Sequence, residues 1–161
     1  MKYVILIPIY NDRESLKLLI ENINQEIADS NSEISLLVIN DASSQQIIDE
    51  YPNIENINSI EIINMKENRG HARCIASGLK YIYEKKEFDY VIPMDGDGED
   101  RPEEIQNFIE LSKEAGDRSI IAERVKRSES IFFKLCYQFH KFLTLAFTGQ
   151  SIKFGNFTCL S

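Results

Sequence analysis

The sequence predicts an α/β protein built on a three-layer, doubly wound and mostly parallel sheet. Short runs of Ile, Val and Leu alternate along the chain with segments whose apolar residues have helical spacing. The runs are apolar at successive positions, as expected of strands buried on both faces. The 161 residues accommodate one domain with a sizeable core. In such sheets ligands bind beyond the carboxyl ends of the strands, so the residues after each strand are the first candidates for function.

Five strands are predicted, in the order in which the apolar runs occur. Most of the runs are rich in β-branched residues, and polar or turn-forming residues bound them. They cover residues 3–9, 34–39, 60–65, 90–94 and 119–122.

Helices are predicted between and after these strands, at residues 15–27, 44–51, 70–86 and 102–116. In the first of them Leu16, Leu19 and Ile23 recur every three or four positions, which places them on one face. Pro102 suits the first turn of the last helix, because that position needs no backbone N–H donor. The Asn-rich stretch at 52–59 is predicted to be a loop.

The pattern changes after Arg127, and we predict a division of the chain into segments 1–125 and 126–161. The first segment contains the whole alternation of strands and helices. In the second, residues 131–147 are rich in Phe and Leu but interrupted by Lys134 and His140, which favours an amphipathic helix. We predict no membrane-spanning segment, because no uninterrupted apolar run reaches the roughly 18 residues that a bilayer requires.

The charge of the chain limits its ligands. The formal net charge is −8 and the isoelectric point is near 4.8. An acidic surface repels a phosphate backbone, which disfavours nucleic-acid binding as the main function. A small anionic ligand would need a helix N-terminus, a bound cation or a few placed arginines. The chain has three widely spaced cysteines, Cys74, Cys136 and Cys159. Their number and spacing predict reduced thiols in a cytosolic protein and no disulfide framework.

An acidic turn carries the strongest signal for chemistry. Asp95 and Asp97, separated by one glycine, directly follow the fourth predicted strand. Two such carboxylates can hold a hard divalent cation, Mg²⁺ or Mn²⁺, and Glu99 and Asp100 lie near enough in sequence to join them. The alternative is a solvated acidic turn that caps the next helix. Mutual repulsion among the acidic residues of 95–103 favours the cation.

Four short blocks occur in order across most of the chain: Pro8-Ile9-Tyr10-Asn11, Val38-Ile39-Asn40-Asp41-Ala42-Ser43, Asn68-Arg69-Gly70 with Gly78, and Asp95-Gly96-Asp97. Together they resemble the family-2 glycosyltransferases of the GT-A fold, which transfer a sugar from a nucleoside-diphosphate sugar with inversion. The resemblance implies a Rossmann-like, nucleotide-sugar-binding domain over residues 1–125. It implies the start of an acceptor site within 126–161.

The resemblance also implies the site residues, although it names no catalytic base. The nucleotide-sugar would contact Pro8, Tyr10, Asp12, Asp41, Gly70, Asp95 and Arg124. The divalent cation would be held by Asp95, Asp97 and Glu99. Tyr10 can stack on the base and Asp41 can accept a hydrogen bond from it; the residues alone are equally consistent with a packing Tyr and a turn or N-cap Asp.

A closer resemblance is to the polyprenyl-phosphate hexosyltransferases, which include dolichyl-phosphate mannosyltransferase-like enzymes. Their acidic motif continues with an amide or acid, an Asp and a Pro-Glu pair, as residues 99–103 do here, although Glu99 replaces the usual Gln. Arg124 matches a basic, phosphate-binding residue of that branch. The branch implies a lipid-phosphate acceptor at the cytoplasmic membrane face, which residues 132–147 would approach; the alternative is an ordinary core helix.

Two features keep a second function open. Gly155-Asn156-Phe157-Thr158 stands where the branch has Gly-Asp-Phe-Arg, and Asn156 cannot act as a base. The chain is also short for this family, which predicts that part of the acceptor region is missing. The alternative is therefore a noncatalytic or truncated nucleotide-sugar-binding module. A nucleotidyltransferase is disfavoured, because no Gly-rich loop with Arg and Lys follows the first strand.

Overall fold

The computed structural model describes residues 1–45, 51, 54–97, 100–122 and 157–161. It divides into two compact units, Met1–Ile120 with Phe157–Ser161 and Ile121–Asn156. All the helices and nearly all the strand residues described below belong to the first unit. The division predicted at residue 125 stays a prediction.

A parallel sheet with the strand order β3-β2-β1-β4 forms the centre of the first unit. Its strands are β1 (Lys2–Ile9), β2 (Glu33–Asn40), β3 (Ser59–Asn64) and β4 (Tyr90–Pro93). The central strand β1 pairs in parallel with both β2 and β4, and β2 pairs in parallel with β3. All four carboxyl ends therefore lie at one edge of the sheet, as the sequence predicts.

Two short strands follow, β5 (Ile120–Ile121) and β6 (Thr158–Cys159), which pair with each other. Just after β6, Leu160 forms an antiparallel bridge with Val91 of β4. The backbone amides of Val91 and Leu160 donate to each other's carbonyls at 2.7 and 2.8 Å. This bridge brings the last residues of the chain alongside the parallel sheet.

Helices cover the sheet on both faces: α1 (Arg13–Glu26), α2 (His71–Lys85) and α3 (Glu104–Ala115). On one face Cys74 and Ile82 of α2 pack with Leu6 and Ile39 of the sheet. On the other face the hydroxyls of Tyr3 in β1 and Ser112 in α3 lie 2.5 Å apart. Helix α1 lies beside α3.

Helix α1 contacts α3 through a hydrogen bond from Gln106 Nε2 to the carbonyl of Glu26 at 2.9 Å.

Helices on both faces of a parallel sheet confirm the three-layer α/β prediction. All five predicted strands are present, and no end shifts by more than one residue. Helix α1 begins two residues earlier than predicted, because Asp12 caps it by accepting a hydrogen bond from the Ser15 amide at 3.1 Å.

Some predicted elements lie outside the described residues. The predicted helix 44–51 falls mostly on residues 46–50, and its described start at Ser44 and Gln45 is a bend. The amphipathic segment 131–147 and Cys136 also fall outside them. Cys74 and Cys159 are free thiols, and both are buried. Within the ranges that the structure describes, no helix is both long and apolar enough to cross a bilayer.

Candidate functional site

The loops that leave β1 and β2 are joined at the carboxyl edge of the sheet by Asn11. Its Oδ1 accepts hydrogen bonds from the Ser44 amide at 2.8 Å and the Ser44 hydroxyl at 3.1 Å. Its own amide donates to Ser43 Oγ at 2.9 Å. Asn11 adopts φ 52°, a conformation that Asn tolerates better than most residues. This role was not predicted from the sequence, although an Asn two residues after the end of a buried strand was an available signal.

Asn40 joins the ends of β2 and β3 in a similar way. Its Nδ2 donates to Asn64 Oδ1 at 2.7 Å, and its Oδ1 accepts from the Ser43 amide at 3.0 Å. The side chain is 6% exposed, so these hydrogen bonds satisfy a buried amide. The edge of the sheet is therefore held by polar contacts between loops before any ligand binds.

Asp41 anchors the loop between β3 and α2. Only 3% of the residue is exposed, and its Oδ1 and Oδ2 accept hydrogen bonds from the amides of Arg69 and Gly70 at 2.7 and 2.8 Å. Burial raises the pKa of Asp41, but those two amides and the Cys74 thiol outweigh it and leave the pKa below its ordinary value. Asp41 therefore steadies the start of α2. The hydrogen bond to a base stays a prediction.

Gly70 caps α2 with φ 84° and ψ 157°, a conformation that only glycine adopts readily. Its amide donates to Asp41 Oδ2, so this amide already has a partner within the chain. The carbonyl of Gly70 accepts from Arg73 and Cys74. The amides of His71 and Ala72, in the first turn of α2, donate to no partner among the described residues. Unpartnered amides in the first turn of a helix favour an anion there.

The acidic turn after β4 is stabilised by a hydrogen bond between two of its own residues. The Asp95 amide donates to Asp100 Oδ2 at 2.9 Å, and Asp100 is only 5% exposed. A Cβ atom on Gly96 would lie 3.0 Å from the carbonyl oxygen of Pro8, so the turn packs closely against the end of β1. Pro8 is itself buried. Asp97, in contrast, is exposed.

A contact between α2 and the acidic turn was not foreseen from the sequence. His71, the first residue of α2, places Nε2 at 3.3 Å from Asp95 Oδ1. The two residues are far apart in the chain, and a histidine after a glycine gives no signal by itself. The structure therefore brings together Gly70, His71 and Asp95, and through Gly70 it connects them to Asp41.

The remaining predicted residues occupy different places at this edge. Tyr10 is 53% exposed. Asp12, which caps α1, lines a cleft of about 830 Å³ together with Asn11 and Arg13. Asp97 lines another cleft, of about 330 Å³, beside Leu18, Leu19 and Arg101. Glu99 and Arg124 lie outside the described residues.

Of the carboxylates predicted to hold a cation, the structure describes those of Asp95 and Asp97. No group of three or more His, Cys, Asp or Glu side chains forms a metal site among the residues that the structure covers. Mg²⁺ is commonly held by one or two carboxylates, with water and substrate phosphates as the other ligands. Two carboxylates on a turn whose backbone is anchored by Asp100 fit that pattern.

The sequence matches the family model of glycosyl transferase family 2 over residues 4–160. The chain therefore belongs to that family, as the four ordered blocks predicted. Among curated proteins, it is 29% identical over 162 residues to the undecaprenyl-phosphate 4-deoxy-4-formamido-L-arabinose transferase of Proteus mirabilis, covering 99% of this chain and 47% of that protein. It is 29% identical over 137 residues to the uncharacterized glycosyltransferase YkcC of Bacillus subtilis, covering 83% and 40%.

The chain thus spans about half the length of the curated relatives that it matches. Among solved structures, it resembles the mannosyltransferase PcManGT of Pyrobaculum calidifontis in complex with GDP-Man and Mn²⁺, with a TM-score of 0.62 and 15% identity over 98% of this chain and 44% of that chain. It resembles S. aureus TarS in complex with UDP-GlcNAc, with a TM-score of 0.56 and 20% identity over 81% and 37%. These likenesses confirm the GT-A fold.

Proposed function

We propose that this chain forms the donor-binding part of a glycosyltransferase that moves a sugar from a nucleoside-diphosphate sugar to a lipid phosphate. The observation that carries the proposal is the meeting of the acidic turn with the start of α2, where His71 lies 3.3 Å from Asp95. This contact supports the proposal, because carboxylates of the kind that bind a divalent cation lie beside a helix N-terminus, which favours phosphate. It does so at the edge where doubly wound sheets bind nucleotides.

The donor class is supported by the neighbours of the same fold. PcManGT is described in complex with GDP-Man and Mn²⁺, and TarS with UDP-GlcNAc. Both ligands are nucleoside-diphosphate sugars, so the shared chemistry is a diphosphate between a nucleoside and a hexose. Pro8, Tyr10, Asp12, Asp41 and Gly70 are the proposed contacts with the nucleotide, at the ends of β1 and β2 and the start of α2.

Asp95 and Asp97 would hold Mg²⁺ or Mn²⁺, with Glu99 as a third proposed ligand. A bound divalent cation neutralises a diphosphate and stabilises the leaving group. A chain with a net charge of −8 needs such a charge at this position to bind an anion. Arg124 is the proposed second source of positive charge for the phosphates.

The transfer itself would invert the anomeric carbon, with the acceptor oxygen attacking from the face opposite the leaving diphosphate. A lipid phosphate is already an anion and requires no general base, whereas a hydroxyl acceptor would. Asp100 is not proposed as a base, because it is buried and its Oδ2 accepts the Asp95 amide. Glu123, the other acidic residue of this chain that is a candidate base for a hydroxyl acceptor, lies outside the described residues.

The acceptor is proposed from the relatives. Proteins named for undecaprenyl phosphate match this chain over 99% of its length. A polyprenyl phosphate at the cytoplasmic face of a membrane, approached by residues 132–147, is the corresponding proposal for this chain. The alternative of a noncatalytic or truncated module rests on Asn156, which replaces an acidic residue in the pattern of the resembled branch.

Calorimetry with UDP and GDP, each with and without Mn²⁺, tests the donor site. We expect one of these nucleotides to bind in a Mn²⁺-dependent way, and Asp97→Ala to abolish that dependence. Asp29→Ala removes the same charge from an exposed residue beyond the end of α1, at the opposite edge of the sheet, and should bind like wild type. Metal-independent binding, or none, would overturn the proposal.

A product assay with a nucleoside-diphosphate sugar and undecaprenyl phosphate in detergent micelles tests transfer. Sugar-linked lipid supports the proposed transferase. Mn²⁺-dependent nucleotide binding without product, across UDP- and GDP-sugars, identifies the chain as the noncatalytic module instead.

A further inference from the structure

His71 contacts the acidic turn through one defined pair of atoms. Its Nε2 lies 3.3 Å from Asp95 Oδ1, and the side chains are 56% and 33% exposed. The contact is therefore reached by solvent and contributes little to stability as a surface pair. Whether His71 orients Asp95 therefore depends on how firmly each of the two residues is held in place.

The position of His71 is fixed by the elements around it. The amides of the two preceding residues donate to the buried carboxylate of Asp41 at 2.7 and 2.8 Å. Farther along α2, Gly78 is packed so tightly that a Cβ atom there would lie 2.3 Å from Leu6 Cδ1. Helix α2 thus has a defined start and a defined distance from the sheet.

The backbone of Asp95 is fixed as well. Its amide donates to buried Asp100, and Gly96 packs against the carbonyl of Pro8. The Asp95 carboxylate contacts His71, and rotation of this carboxylate would break the 3.3 Å contact.

We propose that His71 is a positioning residue that orients the Asp95 carboxylate for the cation and diphosphate of the donor. The proposal rests on the proposed function of Asp95. It connects the buried anchor at the end of β2, Asp41, with the acidic turn after β4 through the first residue of α2. Partners that orient metal-binding side chains commonly change metal affinity by tenfold or more when they are replaced.

The test compares His71→Ala, His71→Gln and wild type in three measurements. Mn²⁺ affinity in the presence of saturating UDP or GDP is measured by electron paramagnetic resonance, nucleotide affinity by calorimetry, and the unfolding midpoint by circular dichroism. We expect His71→Ala to weaken Mn²⁺ binding about tenfold. His71→Gln, whose amide can donate from a similar position, should recover most of the loss. Tyr83→Ala, at an 82% exposed position of α2, is the control.

The outcomes separate this proposal from the proposed function. Wild type without Mn²⁺-dependent nucleotide binding overturns the proposed function. Wild-type binding with an unchanged His71→Ala variant overturns the role of His71 alone. A lowered unfolding midpoint in His71→Ala that His71→Gln does not restore shows a structural role and also overturns it. Weakened Mn²⁺ binding at an unchanged midpoint, with recovery in His71→Gln, supports it.

Discussion

Asp41 Oδ2 accepts a hydrogen bond from the Gly70 amide at 2.8 Å, which joins the end of β2 to the start of α2. Oδ1 accepts from the neighbouring amide of Arg69 at 2.7 Å. A buried carboxylate with hydrogen bonds at both oxygens is a well-satisfied anion. The geometry of the β3–α2 loop, and with it the place of His71 beside Asp95, therefore depends on Asp41.

Asp41→Asn is expected to lower the free energy of unfolding by about 1 to 3 kcal/mol, because the amide side chain has one acceptor oxygen and leaves one backbone amide without a partner. Chemical denaturation measures the change. Asp29→Asn makes the same substitution at an exposed position and should stay within about 0.5 kcal/mol of wild type. Equal stabilities for the two variants would show that the anchor contributes nothing.

The contribution of Asp41 should disappear in acid. Although burial raises its pKa, the two amides and the Cys74 thiol bring the pKa below the ordinary value of 3.8. A carboxyl with a depressed pKa in the folded state stabilises that state above the unfolded pKa, and the stabilisation is lost as the pH falls through the folded pKa. The difference in unfolding free energy between wild type and Asp41→Asn should therefore be constant near neutral pH and shrink below about pH 3.8. Urea denaturation from pH 7 downwards measures it, and a difference that grows in acid would contradict the prediction.

The two described cysteines should be unreactive in the folded protein. Burial, reinforced at Cys74 by the Asp41 carboxylate, raises the pKa of Cys74 to about 11. Burial raises the pKa of Cys159 to about 12. Because the thiolate is the nucleophile, iodoacetamide at pH 8 should label both cysteines slowly until guanidinium unfolds the chain.

Peptide mass mapping resolves the labelling of each cysteine separately. Asp41→Asn removes the negative charge beside Cys74 and should speed labelling of Cys74 more than that of Cys159. Native labelling of either thiol as fast as in guanidinium would contradict its burial.

Gly78→Ala should destabilise the fold by about 1 to 3 kcal/mol, the typical cost of overpacking. The added methyl would lie 2.3 Å from Leu6 Cδ1 and 3.1 Å from Ile39 Cγ1, in the core between α2 and the sheet. The better helix propensity of Ala, about 1 kcal/mol, opposes this cost. Ser77→Ala, on the exposed side of the same helix, changes propensity without steric conflict and should be neutral or slightly stabilising. Thermal unfolding compares them, and a stabilised Gly78→Ala would show that Leu6 moves aside freely.

Local sequence patterns were sufficient to predict the strands, most of the helices and the edge of the sheet where the candidate site lies. The runs at 3–9 and 34–39 are apolar at successive positions, and only strands covered on both faces accommodate that. The carboxyl ends of parallel strands meet at one edge, so Asp41 and Asp95 were predicted to lie there together. Asp12 was assigned to the nucleotide, and its cap on α1 went unnoticed because N-caps and ligand contacts share residue types.

The sequence alone determined the doubly wound sheet, the family and the residues that follow each strand, because periodicity, strand composition and ordered motifs are local properties of the chain. Only the tertiary structure decided which of those residues contact one another. Asp41 is 29 positions from Gly70, and no local rule connects them. Packing of α2 against the sheet directs the Gly70 amide at Asp41 and places His71 at Asp95. These contacts depend on the distance and tilt between a helix and a sheet, which side chains from several elements set together.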